Sequence, residues 1–234
     1  RSVLEALPPA GMRLMTPTPD CAPFLFLVAG EASGDALGAR LITALTRRAV
    51  DAGRPPPRFA GVGGPLMEQA GLGHSLFPMR ELSVMGLLEV LPHARRLLRR
   101  IGETADAVET LRPDALLTID SPGFAHRLAA RVMARPAIAD IPRIHYVAPS
   151  VWAWRPGRVH TCKQHFHFLL AVLPFEPPFF GEVGLPCAFV GHPVLESGAD
   201  RGDGATFRSV MILLRMHRYC ACCPAAATGS DPAA

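Results

Sequence analysis

The hydrophobic residues of this chain form short apolar runs, each ending in a loop rich in glycine, proline and charged residues. The first run, residues 24–29, is apolar at every position. Leucine and isoleucine then recur with helical spacing at positions 37, 41, 42 and 45. A continuously apolar strand is typical of a sheet that is covered on both faces. This segment therefore predicts a buried strand that leads into an amphipathic helix.

The same alternation continues along the chain. We predict further strands at 58–62, 115–119, 143–147, 168–173 and 188–190, and helices at 65–70, 84–111, 124–133 and near 175. Repeated strand–loop–helix units predict an α/β fold with a doubly wound parallel sheet of Rossmann-like type. Ligands bind beyond the carboxyl ends of the strands in such sheets. We therefore expect the functional residues in five loops: 30–35, 61–65, 120–123, 148–155 and 191–193.

The composition indicates a folded protein. Hydrophobic residues make up 49% of the 234 residues and charged residues 19%, enough to build a core. The net charge of +4 is modest and the basic residues form no long tract, which disfavours nucleic acid as a partner. No apolar stretch approaches the roughly 18 residues that span a bilayer. We therefore expect a cytoplasmic location.

The cysteine and histidine spacing predicts no metal site. Positions 220, 222 and 223 crowd three cysteines together, but no second ligand cluster of the usual zinc pattern follows. His165 and His167 would share one side of a strand without a useful partner, and we expect them and His160 to be structural or solvent-facing. Buried thiols are expected at the scattered positions Cys21, Cys162 and Cys187.

The loop of residues 30–35 has the composition of a ligand-binding loop. Its glycines permit tight turning and close approach, and the following helix offers unpaired N–H groups. It lacks the lysine of a P-loop and the G-x-G-x-x-G of a dinucleotide site, which disfavours an unrelated nucleotide-cofactor enzyme. The alternative is that Ser33 or Asp35 caps the helix. The predicted substrate contacts are Gly30, Glu31, Ser33, Gly34 and Asp35.

Six segments together resemble the lipid-A-disaccharide synthases in order and approximate spacing. They are residues 28–35, 59–65, 81–91, 146–155, 173–176 and 190–193, and the resemblance covers about residues 24–197. It implies the N-terminal domain of a two-domain glycosyltransferase with the GT-B fold. The implied reaction joins UDP-2,3-diacylglucosamine to 2,3-diacylglucosamine 1-phosphate and releases UDP, which yields the disaccharide precursor of lipid A.

Asp120 is the predicted catalytic residue. It ends an apolar strand, so the sheet would hold its carboxylate at the cleft, and transfer to a sugar hydroxyl needs a base. An ionised carboxylate does this without a metal, so we expect no cofactor. The family's essential aspartate lies in the motif that residues 118–124 resemble, which implies the role of general base. The alternative from the local pattern is an Asx-turn or a helix-capping aspartate.

The loop of residues 148–155 supplies a second set of candidates. Aromatic faces pack against sugar rings, and arginine offers paired donors to phosphate. Packing of both tryptophans between sheet and helix is the alternative. Glu176 and His192 are expected to be a helix cap and a loop histidine. The predicted substrate contacts here are Ser150, Trp152, Trp154 and Arg155.

The predicted helix at 84–111 begins with an apolar stripe that a basic cluster follows at once. This combination is typical of an interfacial helix that binds anionic lipid headgroups. An ordinary core-facing helix with a solvated basic end is the alternative. The lipid substrates implied by the resemblance favour contact with an anionic membrane surface, at the inner face of the inner membrane. The predicted contacts are Val84, Met85, Leu87, Leu88, Leu91, Arg95, Arg96, Arg99 and Arg100.

The predicted organisation is a poorly ordered leader at 1–22, an acceptor-side Rossmann-like domain at 23–197 and an aberrant or disordered tail at 198–234. The resemblance implies that a C-terminal domain binds the donor nucleotide. No second set of strand–helix units follows Glu196, so we expect the chain alone to lack transferase activity. The alternative function is a non-catalytic fragment that binds lipid or membrane surfaces.

Overall fold

The computed structural model describes residues 21–82, 90–153 and 155–194; for residues 90–94 it describes the backbone alone. The strands are β1 Phe24–Ala29, β2 Arg58–Val62, β3 Ala115–Ile119, β4 Arg143–Tyr146, β5 Phe168–Ala171 and β6 Cys187–Phe189. The α-helices are α1 Ala32–Asp51, α2 Pro65–Met67, α3 Val90–Leu111, α4 Pro122–Met133, α5 Arg158–His165 and α6 Pro177–Gly181. A π-helical turn, Glu68–Leu72, continues α2, and a 3₁₀ turn covers Met79–Glu81.

The six described strands form one parallel sheet in the order β2-β1-β3-β4-β5-β6. The chain passes from β1 outward to β2 and then returns to place β3 on the other side of β1. The strand order therefore reverses between β1 and β3. Ligands of open parallel sheets bind at such a switch point, beyond the carboxyl ends of the strands.

Helices cover both faces of the sheet, as the apolar strands predict. In β1, Phe26 and Val28 belong to a core cluster with side chains of α3 and α4. The alternate residues Leu27 and Ala29 belong to a second cluster with α1 and α2. Successive strand residues point to opposite faces, so a strand buried on both sides must be apolar throughout. This burial fixes the ends of β1 and β3 and the loops that follow them.

The predicted doubly wound parallel sheet is confirmed, with differences at some boundaries. β4 ends one residue earlier than predicted because Val147 adopts a left-handed backbone with φ 74°. β5 ends two residues early, and β6 begins and ends one residue early. The predicted helix at 65–70 changes to π-helical geometry after Met67.

Some sequence predictions differ in kind or lie outside the described residues. His165 ends helix α5, which the sequence pattern did not predict, so the shared strand side proposed for His165 and His167 is wrong. Cys162 is buried as expected, whereas Cys21 is exposed. Residues 1–20 of the predicted leader, the whole predicted tail at 198–234 and residues 195–197 lie outside the described residues, as do Val84, Met85, Leu87, Leu88 and the side chain of Leu91. No described helix is long and apolar enough to cross a membrane.

Candidate active site at the carboxyl edge of the sheet

The loops after β1 and β3 meet at the switch point. A Cβ atom added to Gly30 would lie 2.3 Å from the Ser121 hydroxyl oxygen, so no larger residue fits there without displacing Ser121. One turn further on, a Cβ at Gly34 would lie 3.3 Å from the carbonyl oxygen of Ile119. The two glycines therefore let the two loops approach each other closely. From the sequence, these glycines were expected to make room for a ligand instead.

Asp120 lies at the centre of this junction. The Ser33 hydroxyl donates a hydrogen bond of 3.2 Å to Oδ2 of Asp120, and the Ser121 amide donates one of 2.8 Å to Oδ1. The Asp120 amide donates to the carbonyl oxygen of Tyr146 on β4. Ser33 and Ser121 thus orient the carboxylate, and the bond to Tyr146 fixes the backbone, yet the residue stays partly exposed.

The backbone at this position is strained. Asp120 and Ser121 both have positive φ, at 54° and 47°. A residue other than glycine in this region costs of order 1 to 3 kcal/mol, and such strain concentrates at functional sites. Ser121 occupies the N-cap position of α4 without a side-chain capping bond. The Asp120 carboxylate accepts from the adjacent amide, rather than capping the helix as the alternative interpretation proposed.

Asp35 is buried and holds two loops together. Its Oδ1 accepts hydrogen bonds of 2.9 Å from the amides of Gly64 and Met67, and its Oδ2 accepts one of 3.1 Å from Leu66. A Cβ at Gly64 would lie 2.4 Å from Oδ2, so this loop needs its glycine as well. The predicted substrate contact at Asp35 is therefore used internally, where it fastens the loop after β2 to α1.

The alternative that Ser33 or Asp35 caps helix α1 is wrong. The N-cap residue is Glu31, which has an extended backbone and no side-chain capping bond. Ser33 and Asp35 both lie within the first helical turn and direct their side chains to other loops. Glu31 and Ser33 are exposed at the rim of the junction, whereas Gly30 and Gly34 are buried beneath it.

The loop after β4 carries the second set of candidates. Trp152 is 46% exposed, so burial between sheet and helix is wrong for this tryptophan. Its indole Nε1–H donates to Oε1 of the buried Glu176 at 3.4 Å, and its ring meets Phe175 edge to face at 5.1 Å. Ser150 and Arg155 are exposed in the same loop, and Trp154 lies outside the described residues.

Glu176 was interpreted from sequence as a helix cap, and this interpretation is wrong. It occupies the N-cap position of α6 but makes no side-chain capping bond. Its carboxylate accepts from Trp152 and, at 3.2 Å, from the amide of Leu173. The signal available in the sequence was its position: Glu176 lies in the loop after β5, at the same edge of the sheet as the loop after β4.

An open cavity of about 460 Å³ lies beside this loop. Its floor is the buried Val151, and its walls include the half-buried Val159 and Val183. The ten lining residues are Val151, Trp152, Ala153, Pro156, Gly157, Val159, His160, Phe179, Glu182 and Val183. Small-molecule sites typically occupy about 300 to 1,000 Å³, so the cavity has the size of a ligand site.

The basic cluster on α3 divides into two kinds of arginine. Arg95, Arg96 and Arg99 are exposed, and Arg99 makes a solvent-exposed ion pair of 3.5 Å with Glu103. Arg100 is different, because its side chain is only 16% exposed and pairs with both Glu81 and Glu103. The hydrogen bond from Arg100 lowers the pKa of Glu81. Arg100 therefore fastens α3 to the preceding segment, while the other three face solvent.

A histidine cluster, missed from sequence, joins His126 of α4, His165 of α5 and the buried His145 of β4. The Nδ1 atoms of His126 and His165 are 2.9 Å apart, and His145 Nδ1 is 2.8 Å from the Thr118 hydroxyl. Burial lowers the pKa of His126 to about 4 and that of His145 to about 3. Both rings are therefore neutral at pH 7. The described residues contain no group of three or more potential ligands placed to hold a metal.

The fold and the contact between the loops after β1 and β3 define the class of protein. It is a doubly wound α/β domain, and its candidate ligand site lies where a glycine loop after β1 meets an aspartate after β3. Comparison with known proteins identifies the family. The family model "Lipid-A-disaccharide synthetase" matches residues 25–229. The chain belongs to this family.

Curated relatives support the same family membership. A lipid-A-disaccharide synthase of Rhodospirillum centenum is 55% identical over 184 residues, covering 79% of this chain and 44% of the relative. One of Granulibacter bethesdensis is 54% identical over 188 residues, covering 80% of this chain and 45% of the relative. The chain thus spans a little under half the length of these relatives. Among solved structures, a UDP-N-acetylglucosamine 2-epimerase from Rickettsia bellii is similar with a TM-score of 0.48 and 11% identity, over 84% of this chain and 51% of that one.

Proposed function

We propose that this chain forms the acceptor-side domain of an inverting glycosyltransferase that makes the lipid A disaccharide. The donor is UDP-2,3-diacylglucosamine and the acceptor is 2,3-diacylglucosamine 1-phosphate. Membership of the family supports this reaction. The observation that carries the proposal is the fixed, partly exposed carboxylate of Asp120 at the switch point of the sheet.

Asp120 acts as the general base. An ionised carboxylate is an acceptor only, and each oxygen of Asp120 accepts one hydrogen bond and keeps lone-pair capacity for another. Asp120 removes the proton from the acceptor hydroxyl as that oxygen forms its bond to the anomeric carbon of the donor. The bond from that carbon to the UDP oxygen breaks, and UDP leaves with the electron pair. General base catalysis of this kind contributes about 10² to 10⁴ in rate.

The neighbouring loops bind the substrates. The Gly30–Ser33 segment lies against Asp120 and positions the acceptor over its carboxylate. The loop after the adjacent strand β4 carries Ser150, Trp152 and Arg155 at the same edge of the sheet. There the Trp152 indole stacks on a sugar ring, and the Arg155 guanidinium binds a phosphate. Asp35 supports these loops because it fastens the loop after β2 to α1.

The exposed arginines of α3 make contact with an anionic membrane surface. Each basic residue near such a surface contributes about 1 kcal/mol of attraction. Arg95, Arg96 and Arg99 are exposed and suit this role, whereas Arg100 is occupied by Glu81 and Glu103. The proposed location is cytoplasmic, at the inner face of the inner membrane, where the acylated substrates lie.

A chimeric enzyme tests the proposal. The 184 residues of this chain that align with the Rhodospirillum centenum relative replace the equivalent residues there, and the remainder of that relative supplies the rest of the enzyme. Formation of disaccharide and UDP from the two acylated substrates is the expected result. A chimera that folds and binds donor but forms no disaccharide would contradict the proposal.

A further inference from the structure

The contact between Gly30 and Ser121 lies directly beside Asp120. In the sheet, Ala29 at the end of β1 pairs with Ile119 at the end of β3. Gly30 and Asp120 follow these two residues, so they leave the strands side by side. Ser121 comes next and turns its side chain toward Gly30, where an added Cβ atom would lie 2.3 Å from its Oγ and 2.8 Å from its Cβ. The contact therefore joins the first residue after β1 to the neighbour of the proposed base.

Glycine is needed at position 30 for space and not for backbone conformation. The φ angle of Gly30 lies outside the left-handed region, unlike that of Gly61 at 142°. An alanine could therefore adopt the same backbone, and the contact with Ser121 is what opposes it. Rotation of the serine side chain moves Oγ away, but it leaves the serine Cβ at 2.8 Å, well short of the 3.4 Å of an ordinary van der Waals contact. A side chain at position 30 must therefore displace backbone.

The backbone of Ser121 is tied both to the Asp120 carboxylate and to helix α4. Its amide donates a hydrogen bond of 2.8 Å to Oδ1 of Asp120. Its carbonyl oxygen accepts hydrogen bonds of 3.0 and 3.1 Å from the amides of Phe124 and Ala125, in the first turn of α4. Displacing the Ser121 backbone therefore shifts the donor that orients the Asp120 carboxylate.

We propose that Gly30 and Ser121 are positioning residues for the reaction. The close contact between them sets the place from which the Ser121 amide holds the Asp120 carboxylate, so Gly30 affects catalysis through Ser121. The catalytic part of this inference rests on the proposed function, in which Asp120 is the general base. The steric part rests on the contact alone, so the two parts are tested by separate measurements.

Gly30→Ala in the chimeric enzyme is the first test. Misplacing a reacting group by about 1 Å costs up to about 100-fold in rate, so kcat should fall about 10- to 100-fold with little change in KM for the acceptor. Gly102→Ala is the matched control. An added Cβ on this glycine of α3 meets nothing within 4 Å, so kcat should be unchanged.

Second substitutions at Ser121 decide whether Gly30 acts through it. Ser121→Gly removes both Oγ and Cβ, so Gly30→Ala combined with Ser121→Gly should have a kcat within about threefold of Ser121→Gly alone. Ser121→Ala removes Oγ but keeps the Cβ at 2.8 Å. Gly30→Ala combined with Ser121→Ala should therefore stay at least about tenfold below Ser121→Ala alone.

The carboxyl resonance of Asp120 reports the same contact without any reaction. It is observed by ¹³C NMR of the 234-residue chain labelled at aspartate, and it is assigned by its loss in Asp120→Asn. Gly30→Ala should shift this resonance, and adding Ser121→Gly, but not Ser121→Ala, should reverse the shift. Circular dichroism and thermal unfolding confirm that each variant is folded. If Gly30→Ala prevents folding, Ser121→Gly should restore the fold and Ser121→Ala should not.

Three outcomes would overturn the inference: an unchanged kcat in Gly30→Ala, no rescue by Ser121→Gly, or equal rescue by Ser121→Ala. No rescue together with a raised KM would assign Gly30 to direct contact with the acceptor instead. A chimera that makes disaccharide while Ser121→Gly rescues neither kcat nor the Asp120 resonance refutes the positioning role alone. A chimera that makes no disaccharide, while the resonance follows the expected pattern, refutes the proposed function alone.

Discussion

Ser33 and Asp120, 87 residues apart in the chain, are joined by a hydrogen bond of 3.2 Å across the point where the strand order reverses. Ser33 lies in the first turn of α1, and Asp120 follows β3, so the bond ties the two loops that the sheet places side by side. The serine hydroxyl occupies one oxygen of the carboxylate and thereby limits its rotation.

Ser33→Ala should therefore lower catalysis modestly. The lost hydrogen bond is worth about 0.5 to 1.5 kcal/mol, so kcat of the chimera should fall by roughly 2- to 13-fold with KM for the acceptor little changed. Thr43→Ala is the matched control, because this hydroxyl on the same helix donates within α1, to the carbonyl oxygen of Ala39. Steady-state kinetics with varied acceptor decide the matter; an unchanged kcat in Ser33→Ala would contradict the role given to this hydrogen bond.

Asp35→Ala should destabilise the fold. Removing the buried carboxylate leaves the amides of Gly64, Leu66 and Met67 without their acceptor, at an expected cost of about 2 to 4 kcal/mol in the free energy of unfolding. Urea unfolding measures it. Asp51→Ala, which removes an exposed ion pair with Arg47, should cost no more than about 0.5 kcal/mol. Equal effects of the two variants would contradict the role given to Asp35.

The buried histidines predict a loss of stability in acid. The pKa values of His126 and His145 lie at about 4 and 3, below their ordinary value of 6.5, so the unfolded chain takes up these protons first as the pH falls. Stability from this source is complete above pH 6.5 and is lost progressively below it. The fully buried His145 should contribute a slope of up to about 1.4 kcal/mol per pH unit between pH 6 and 4, and the partly exposed His126 less.

His145→Gln should flatten that dependence, because glutamine takes up no proton in this range. Urea unfolding at several pH values compares this variant with the original chain and with His74→Gln, which changes an exposed histidine. The His74 variant should follow the original curve. Parallel curves for all three proteins would show that His145 does not titrate on unfolding.

The arginines of α3 should differ in how much each contributes to membrane binding. Replacing Arg95, Arg96 and Arg99 by glutamate should weaken flotation with vesicles rich in anionic lipid by at least on the order of 100-fold, because losing each positive charge alone costs about 1 kcal/mol. An equal change at Arg47, Arg48 and Arg54 on and after α1 is the control and should have less effect. Unchanged flotation of the α3 variant would remove these residues from the membrane contact.

Arg100→Glu should act differently from its three neighbours. It places a carboxylate beside Glu81 and Glu103, so it should lower the free energy of unfolding. Its effect on flotation should be smaller than that of any one exposed arginine. A loss of vesicle binding without a loss of stability would contradict the distinction between Arg100 and the exposed residues.

The strands were predictable because a strand that is buried on both faces is apolar at nearly every position. β1, β2 and β3 have the predicted bounds. In β1 and β3 every second residue faces one helix layer and the others face the opposite layer. The sequence of helix α5 carries no comparable apolar pattern. Of its residues only Cys162 is fully buried, so its polar sequence gives no amphipathic stripe.

The candidate site was predictable in position but not in its internal contacts. The carboxyl ends of strands and their polar loops locate the edge where Asp120 and Trp152 lie. Sequence does not show that Asp35 turns inward to Gly64, or that Glu176 turns toward Trp152, because these contacts join loops that are distant in the chain. Side-chain direction in such loops depends on the tertiary packing, not on local spacing.

Asp120→Asn in the chimera tests the central claim most directly. The amide keeps the size of the carboxylate but accepts no proton, so the rate of disaccharide formation at saturating substrates should fall about 10²- to 10⁴-fold while acceptor affinity changes little. Asp140→Asn, an exposed aspartate before β4, should leave the rate unchanged. A rate for Asp120→Asn within about threefold of the original would contradict the assignment of Asp120 as the general base.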